Sequence, residues 1–165
     1  MDHSIGIIGG ADGPTTIFVT SSPGWINLFG LIIVILLLIP NIIYAIKHRG
    51  EPRPPVNKIA LILENIGRYA CMLLMVLNIG LMEFGFGSII GLLVYLFGNA
   101  SLLIAYWICY MAYLKKPSKD LSILLSIIPV IIFLLSGLAL RHWLLVIAAV
   151  VFGAAHIYVT RESDK

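Results

Sequence analysis

Five long apolar stretches determine what this chain can fold into. They cover residues 26–46, 59–82, 88–114, 121–140 and 143–160. Each comes close to or exceeds the roughly 20 apolar residues that a transmembrane helix needs. Charged residues make up 12% of the chain, and soluble domains usually carry about 25%. The sequence therefore predicts an all-α membrane protein with about five transmembrane helices, and it excludes an ordinary soluble domain, a disordered chain and a disulfide-stapled secreted fold.

The charged connectors predict how these helices are oriented. Alternating connectors place nine basic residues on one side of the membrane and only Arg141 on the other. The nine are Lys47, Arg49, Arg53, Lys58, Lys115, Lys116, Lys119, Arg161 and Lys165. By the positive-inside rule, the C-terminus is cytoplasmic, the N-terminus lies outside, and the chain is a multi-pass protein of the cytoplasmic (inner) membrane of the cell. Because the connectors are short, we also expect consecutive helices to be antiparallel neighbours.

Residues 1–24 form a Gly-rich segment that precedes the bundle predicted over residues 25–165. The stretch 4–22 is moderately apolar, but the run Gly-Gly-Ala-Asp-Gly-Pro interrupts it at residues 9–14. Irregular backbone at membrane depth needs shielding by protein or by a water-filled cavity. We therefore expect either a re-entrant hairpin or a loop that lies over the outer face of the bundle.

A cation site is the chemistry that this interrupted run favours. Glycine permits the close approach of a ligand, and proline fixes the exit of the turn. Asp12 places a carboxylate at the break, beside backbone carbonyls and threonine hydroxyls. Hard oxygen ligands of this kind favour Na⁺ or H⁺ over transition metals. The predicted Na⁺ site consists of Asp12 with Gly9, Gly10, Gly13, Pro14 and Thr15 around it.

The string SIGIIGGADGPTTIFVTS resembles the aspartate-containing signature of the β subunit of sodium-translocating biotin-dependent decarboxylases. In that family the motif lies in a broken membrane segment, and its aspartate takes part in Na⁺ binding and in coupling to the decarboxylation of carboxybiotin. The resemblance implies this role for Asp12, and it covers residues 4–20 only. Those systems also need a soluble carboxyltransferase and a biotin carrier. We therefore expect at most a membrane subunit of such a decarboxylase and not an enzyme on its own.

Glu64 and Arg68 are ionisable residues inside the second predicted span. Their spacing of four places both on one helix face. An ionisable residue within a membrane span is a candidate functional group by default. Two interpretations stay open, a structural ion pair of the membrane and part of a polar pathway through the bundle.

Three functional classes stay open from the sequence. The first is sodium-linked ion transport related to decarboxylase β subunits, with Na⁺ as the expected cofactor. The second is a membrane scaffold or accessory subunit without transport activity, which binds other membrane subunits or a second copy of itself. The third is a membrane haem or redox protein that uses His48 and His156. The lipid bilayer is a partner in all three, and no nucleic acid is expected because the basic residues lie in helix connectors.

Reporter fusions test the predicted orientation. Because basic connectors are retained in the cytoplasm, a reporter fused at Lys165 should be cytoplasmic, and one inserted within residues 83–87 should be external. The measurement is the activity of a reporter that works on one side of the membrane only. A cytoplasmic signal from residues 83–87 contradicts the assignment.

Overall fold

The computed structural model describes residues 3–8, 16–21, 25–47, 49, 56–79, 86 and 88–163. Five helices follow one another along these residues. They are α1 (Leu28–Lys47), α2 (Lys58–Val76), α3 (Ile89–Lys115), α4 (Lys119–Ala139) and α5 (Trp143–Ser163). All five are long and apolar enough to cross a membrane. The prediction of five apolar helices of membrane-spanning length is therefore confirmed.

Two short strands precede the helices. β1 (His3–Ile8) and β2 (Thr16–Ser21) pair antiparallel, with Ile5 opposite Val19. Ile, Phe, Val and Thr favour strands, although the sequence predicted a re-entrant hairpin or a loop over the outer face here. Residues 9–15 lie outside the described part of the chain. The insertion of this segment into the membrane therefore stays a prediction.

The helices pack as a closed ring in the order α1, α2, α5, α4, α3, with α3 returning to α1. The contact between α2 and α5 is the most extensive. α3 lies between α1 and α4 and makes little contact with α2. The expectation that consecutive helices are neighbours is therefore wrong for α2 and α3. Residues 77–88 join these two helices, and a link of this length spans up to about 40 Å, enough to cross the end of the ring.

Backbone hydrogen bonds join the start of α1 to the end of α2. The Asn27 amide donates to the Val76 carbonyl oxygen at 2.8 Å, and the Asn78 amide donates to the Trp25 carbonyl oxygen at 3.0 Å. This pairing needs an extended backbone at Leu77. For this reason α2 ends at Val76 and not at residue 82, where the apolar pattern had predicted its end.

His142 brings the turn between α4 and α5 to the same end of the ring. Its side chain is buried, and its Nε2 lies 2.9 Å from the carbonyl oxygen of Ile79. Burial lowers the pKa of His142, and hydrogen bonds to the backbone of Ile79 and Leu74 oppose that effect. The neutral imidazole is therefore the form that fits here. We call this end, where α1 and α5 begin and α2 and α4 finish, the tied end.

Buried polar contacts also join α3 to its two neighbours. Asn99 donates from Nδ2 to the Ser136 hydroxyl at 3.1 Å and to the Tyr95 carbonyl oxygen at 2.8 Å. The Tyr95 hydroxyl accepts a hydrogen bond from Asn27 Nδ2 at 3.3 Å. Inside a bilayer, interhelical hydrogen bonds and close packing hold helices together, because lipid removes the hydrophobic drive between them.

Gly67 sets the distance between α2 and α5. A Cβ atom at this position would lie 2.9 Å from both the Cα and the Cβ of Phe152. Carbon atoms do not pack that closely, since favourable contacts between them lie near 3.5–4.0 Å. The missing side chain of Gly67 therefore allows the most extensive helix contact of the ring, as small residues commonly do in membrane proteins.

The substitution Gly67→Ala should destabilise the protein by about 1–3 kcal/mol, because overpacking forces α2 away from α5. The measurement is thermal unfolding in detergent. Gly91→Ala is the matched control, because a Cβ atom there meets the Ser88 hydroxyl at an ordinary 3.6 Å. Both changes replace a helical glycine by alanine, so most of the difference between them reports packing. Equal stability of the two variants contradicts the close contact.

Candidate functional site

Glu64 is a buried carboxylate in the membrane-spanning part of α2. Glu64 is 6% exposed, and it lies on the face of α2 that also includes the buried Gly67 and Cys71. It lies six positions after Lys58, the first residue of the helix, which corresponds to about 9 Å along the axis. A carboxylate that is buried at such a depth costs considerable free energy unless partners compensate its charge.

Arg68 supplies the first of these partners. It lies one turn further along α2, and its Nη2 contacts Oε1 of Glu64. The structure thus brings together the two residues that the sequence placed on one face. The Arg68 side chain is 35% exposed, and its guanidinium carbon lies 6.0 Å from the ring centroid of Phe152. This separation is within the range of a cation–π interaction.

His156 supplies the second partner, from α5. Its Nδ1 lies 3.0 Å from the same Oε1 of Glu64. The imidazole stacks on the ring of Phe152, with centroids 4.9 Å apart and an angle of 15° between the planes. The backbone oxygen of His156 accepts a hydrogen bond from the Thr160 hydroxyl at 2.9 Å. Phe152 therefore contacts both partners of the carboxylate.

The cluster of Glu64, Arg68 and His156 can hold an exchangeable proton. With a neutral imidazole that donates from Nδ1, the carboxylate and the guanidinium balance each other and the cluster carries no net charge. A proton added at Nε2 gives the cluster a net charge of about +1 and leaves the ion pair in place. Histidine is the side chain that changes charge near neutral pH. The cluster therefore combines a permanent ion pair with a titratable group.

His156 also lines a cleft of about 240 Å³ inside the ring. The cleft lies between the last turns of α1, α3 and α5 and the first turns of α4, at the end opposite the tied end. Most of its lining residues carry a hydroxyl, an amide or an imidazole group. The polar lining residues besides His156 are Asn41, Tyr44, Tyr106, Tyr110, Tyr113, Ser122, Ser126, Thr160 and Ser163. None of the described residues that line it carries a carboxylate.

Basic side chains surround the mouth of this cleft. Among the described residues at that end of the helices, the bases are Lys47, Arg49, Lys58, Lys115, Lys116, Lys119 and Arg161, and the acids are Asp120 and Glu162. At the tied end, Arg141 is the basic residue that the structure describes. The charge asymmetry that predicts the orientation of the helices in the membrane therefore also makes the electrostatic potential around the open end of the cleft positive.

The predicted Na⁺ site lies outside the described residues. This holds for all six of its members, Asp12, Gly9, Gly10, Gly13, Pro14 and Thr15. Within the described ranges, no group of three His, Cys, Asp or Glu side chains lies close enough to hold a metal ion. His48 is also outside these ranges, so a pair of His48 with His156 stays a prediction.

The contact of His156 with Glu64 was missed by the sequence analysis. The sequence does place the two residues at a similar distance from the same end of the bundle. Glu64 lies six positions from the start of α2, and His156 lies seven positions from the end of α5. Both distances correspond to about 9–10 Å from the same end of the bundle. Depth alone does not show which helices touch, however, and the adjacency of α2 and α5 was not foreseen.

Comparisons with known proteins give no relative for this chain. It matches no protein-family model, no curated protein and no solved structure. The chemistry of the cluster and of the cleft is therefore the guide to the function of this chain.

The substitution Arg68→Ala should destabilise the protein by about 2 kcal/mol. Loss of a partner in a fully buried pair costs about 3–5 kcal/mol, and the partial exposure of Arg68 reduces that figure. The double variant Glu64→Gln/Arg68→Ala should recover most of the loss, because it leaves no buried carboxylate without its guanidinium. Thermal unfolding in detergent measures both effects.

Arg161→Ala serves as the control for this cycle, since Arg161 is exposed in the last turn of α5. It should change stability by no more than about 0.5 kcal/mol. If the double variant is no more stable than Arg68→Ala, the buried carboxylate is not the source of the loss and the pair is peripheral.

Proposed function

We propose that this chain is a multi-pass membrane transport protein in which Glu64 and His156 form a proton-binding centre at the base of the cleft. The observation that carries the proposal is the buried carboxylate of Glu64, contacted by both Arg68 and His156. His156 faces the cleft as well as the carboxylate. A proton that enters the cleft therefore reaches a group whose charge is coupled to a buried ion pair.

The cost of this arrangement favours a functional interpretation. Packing alone needs no ionisable group at this depth, and an apolar residue of similar size is often at least as stabilising as a buried ion pair. Ionisable side chains inside membrane helices commonly belong to substrate pathways or proton relays. The polar contacts of Asn99 and Tyr95 differ, because both are satisfied within the protein and lie away from the cleft lining.

Sodium-linked transport is the second candidate, and the sequence around Asp12 favours it. The resemblance to decarboxylase β subunits implies that Asp12 takes part in Na⁺ binding. The two candidates involve separate residues, so one experiment with two variants distinguishes them. A scaffold or accessory subunit is the remaining alternative, and it requires neither ion.

Charge movement in proteoliposomes adsorbed on a solid-supported membrane tests the proposal. A jump from about pH 7.5 to about pH 5.5 crosses the titration range of histidine. It should produce a transient current as protons enter the buried centre. Glu64→Gln and His156→Asn should both abolish that current. Asp120→Asn is the matched control, because it removes an exposed carboxylate outside the cluster.

An exchange of K⁺ for Na⁺ at constant pH tests the second candidate in the same apparatus. A current that appears in this exchange and is lost in Asp12→Asn supports sodium-linked transport. A proton current that persists in Glu64→Gln contradicts the proposed centre. The absence of current in both exchanges overturns both transport candidates and favours the scaffold.

A further inference from the structure

We propose that the cleft binds a small organic monocarboxylate together with a proton on His156. This inference rests on the proposed function and names the chemical class of its ligand. It is carried by the Tyr110 hydroxyl, by the donor-rich lining of the cleft and by the charge of the cluster at its base.

Tyr110 points to a ligand that the cleft can hold. Its side chain is 5% exposed and lines the cleft, and its hydroxyl has no hydrogen-bond partner in the described part of the chain. Buried polar groups nearly always have a partner. The neighbouring Tyr106 is satisfied by the side chain of Asn41. A polar group bound in the cleft would complete the hydrogen bonding of Tyr110.

The lining selects an acceptor that carries negative charge. The Tyr110 hydroxyl can donate, and a protonated His156 donates from Nε2. No carboxylate lines the cleft among the described residues. The surrounding bases add an attractive field for the same charge.

The size of the cleft and its aromatic wall favour a small organic ion. Its volume of about 240 Å³ lies below the range of about 300–1,000 Å³ that is usual for drug-sized ligands. The rings of Tyr44 and Tyr113 lie 6.3 Å apart. Such a wall gives apolar contact to a carbon skeleton. A compact monocarboxylate offers both this skeleton and a single anionic group.

The charge of the cluster explains why one proton and one anion bind together. The titratable groups near His156 are Glu64 and Arg68 from α2 and the cleft tyrosines of α1 and α3, while α4 places Ser122, Leu125 and Ser126 on the cleft. A proton on His156 leaves the cluster with a net positive charge, and a monovalent anion neutralises it. Each ligand therefore strengthens the binding of the other.

Isothermal titration of the detergent-purified full chain with benzoate tests the inference. Benzoate should bind more tightly at about pH 5.5 than at about pH 7.5, because the ordinary range in which a histidine gains a proton lies between them. Titrations in buffers of different ionisation enthalpy should show proton uptake at the higher pH. Benzamide, the neutral analogue of benzoate, should bind weakly and without proton uptake. Phosphate should not compete with benzoate.

Two variants assign the binding to this cleft. Tyr110→Phe removes only the hydroxyl and should weaken benzoate binding about tenfold, the effect of one hydrogen bond to a charged group. Tyr69→Phe is the matched control on an exposed tyrosine of α2 and should change nothing. His156→Asn should keep a donor toward Glu64 but lose both the pH dependence and the proton uptake. His142, which lies at the tied end, is unchanged in all of these variants. A difference between them in pH dependence therefore does not come from His142.

Several results would overturn the inference. They are the absence of benzoate binding, equal affinity in Tyr110→Phe and the unmutated protein, equal binding of benzamide, and displacement of benzoate by phosphate. The pH-jump current does not depend on a carboxylate. If that current is present while benzoate fails to bind, the inference is wrong and the proposed function stands. If the current is absent as well, the proposed function fails with it.

Discussion

The buried carboxylate of Glu64 is the constraint on which the arrangement of the helices depends. One carboxylate oxygen contacts both Arg68, which lies on the same helix, and His156, which lies on α5. α2 must therefore lie against α5, although two helices, α3 and α4, separate them in the sequence. Gly67 permits the close approach of the two helices. Phe152 lies opposite it, and its ring contacts both the imidazole of His156 and the guanidinium of Arg68. Since α5 occupies this place beside α2, α3 is left to pack between α1 and α4.

The two ends of the ring differ in how their buried polar groups are hydrogen-bonded. At the tied end, the backbone of Asn27 and Asn78 pairs with the neighbouring segment, and His142 is held by the backbone of Ile79. These groups find their partners within the protein. At the other end the helices leave a cleft, and the hydroxyl of Tyr110 has no partner in the described residues. The hydroxyl of Tyr110 is therefore the group of that end that a bound molecule could satisfy.

The five helices could be predicted from the sequence because lipid demands long apolar segments whose backbone groups bond internally. The end of α2 could not, since Leu77 is as apolar as its neighbours and leaves the helix to pair with Ile26. The contact of Glu64 with Arg68 follows from spacing within one helix. Its contact with His156 depends on which helices are adjacent, and hydropathy carries no information about adjacency. The four cleft tyrosines were missed for the same reason, because aromatic residues near helix ends are also typical of the membrane interface.

The difference between the ends also bears on the direction of access. Transporters commonly bind their substrate near the middle of the membrane and open to one side at a time. Glu64 lies about 9 Å from the open end of α2, and Asn99 with Ser136 fills the interior nearer the tied end. Binding at His156 would thus occur where the cleft meets this satisfied interior. For a proton to pass further, the interhelical contacts at Asn99 and the tied end would have to open while the cleft closes. Exchanging the hydrogen bonds at the tied end for contacts around the cleft tyrosines is the conformational change that the proposed transport requires.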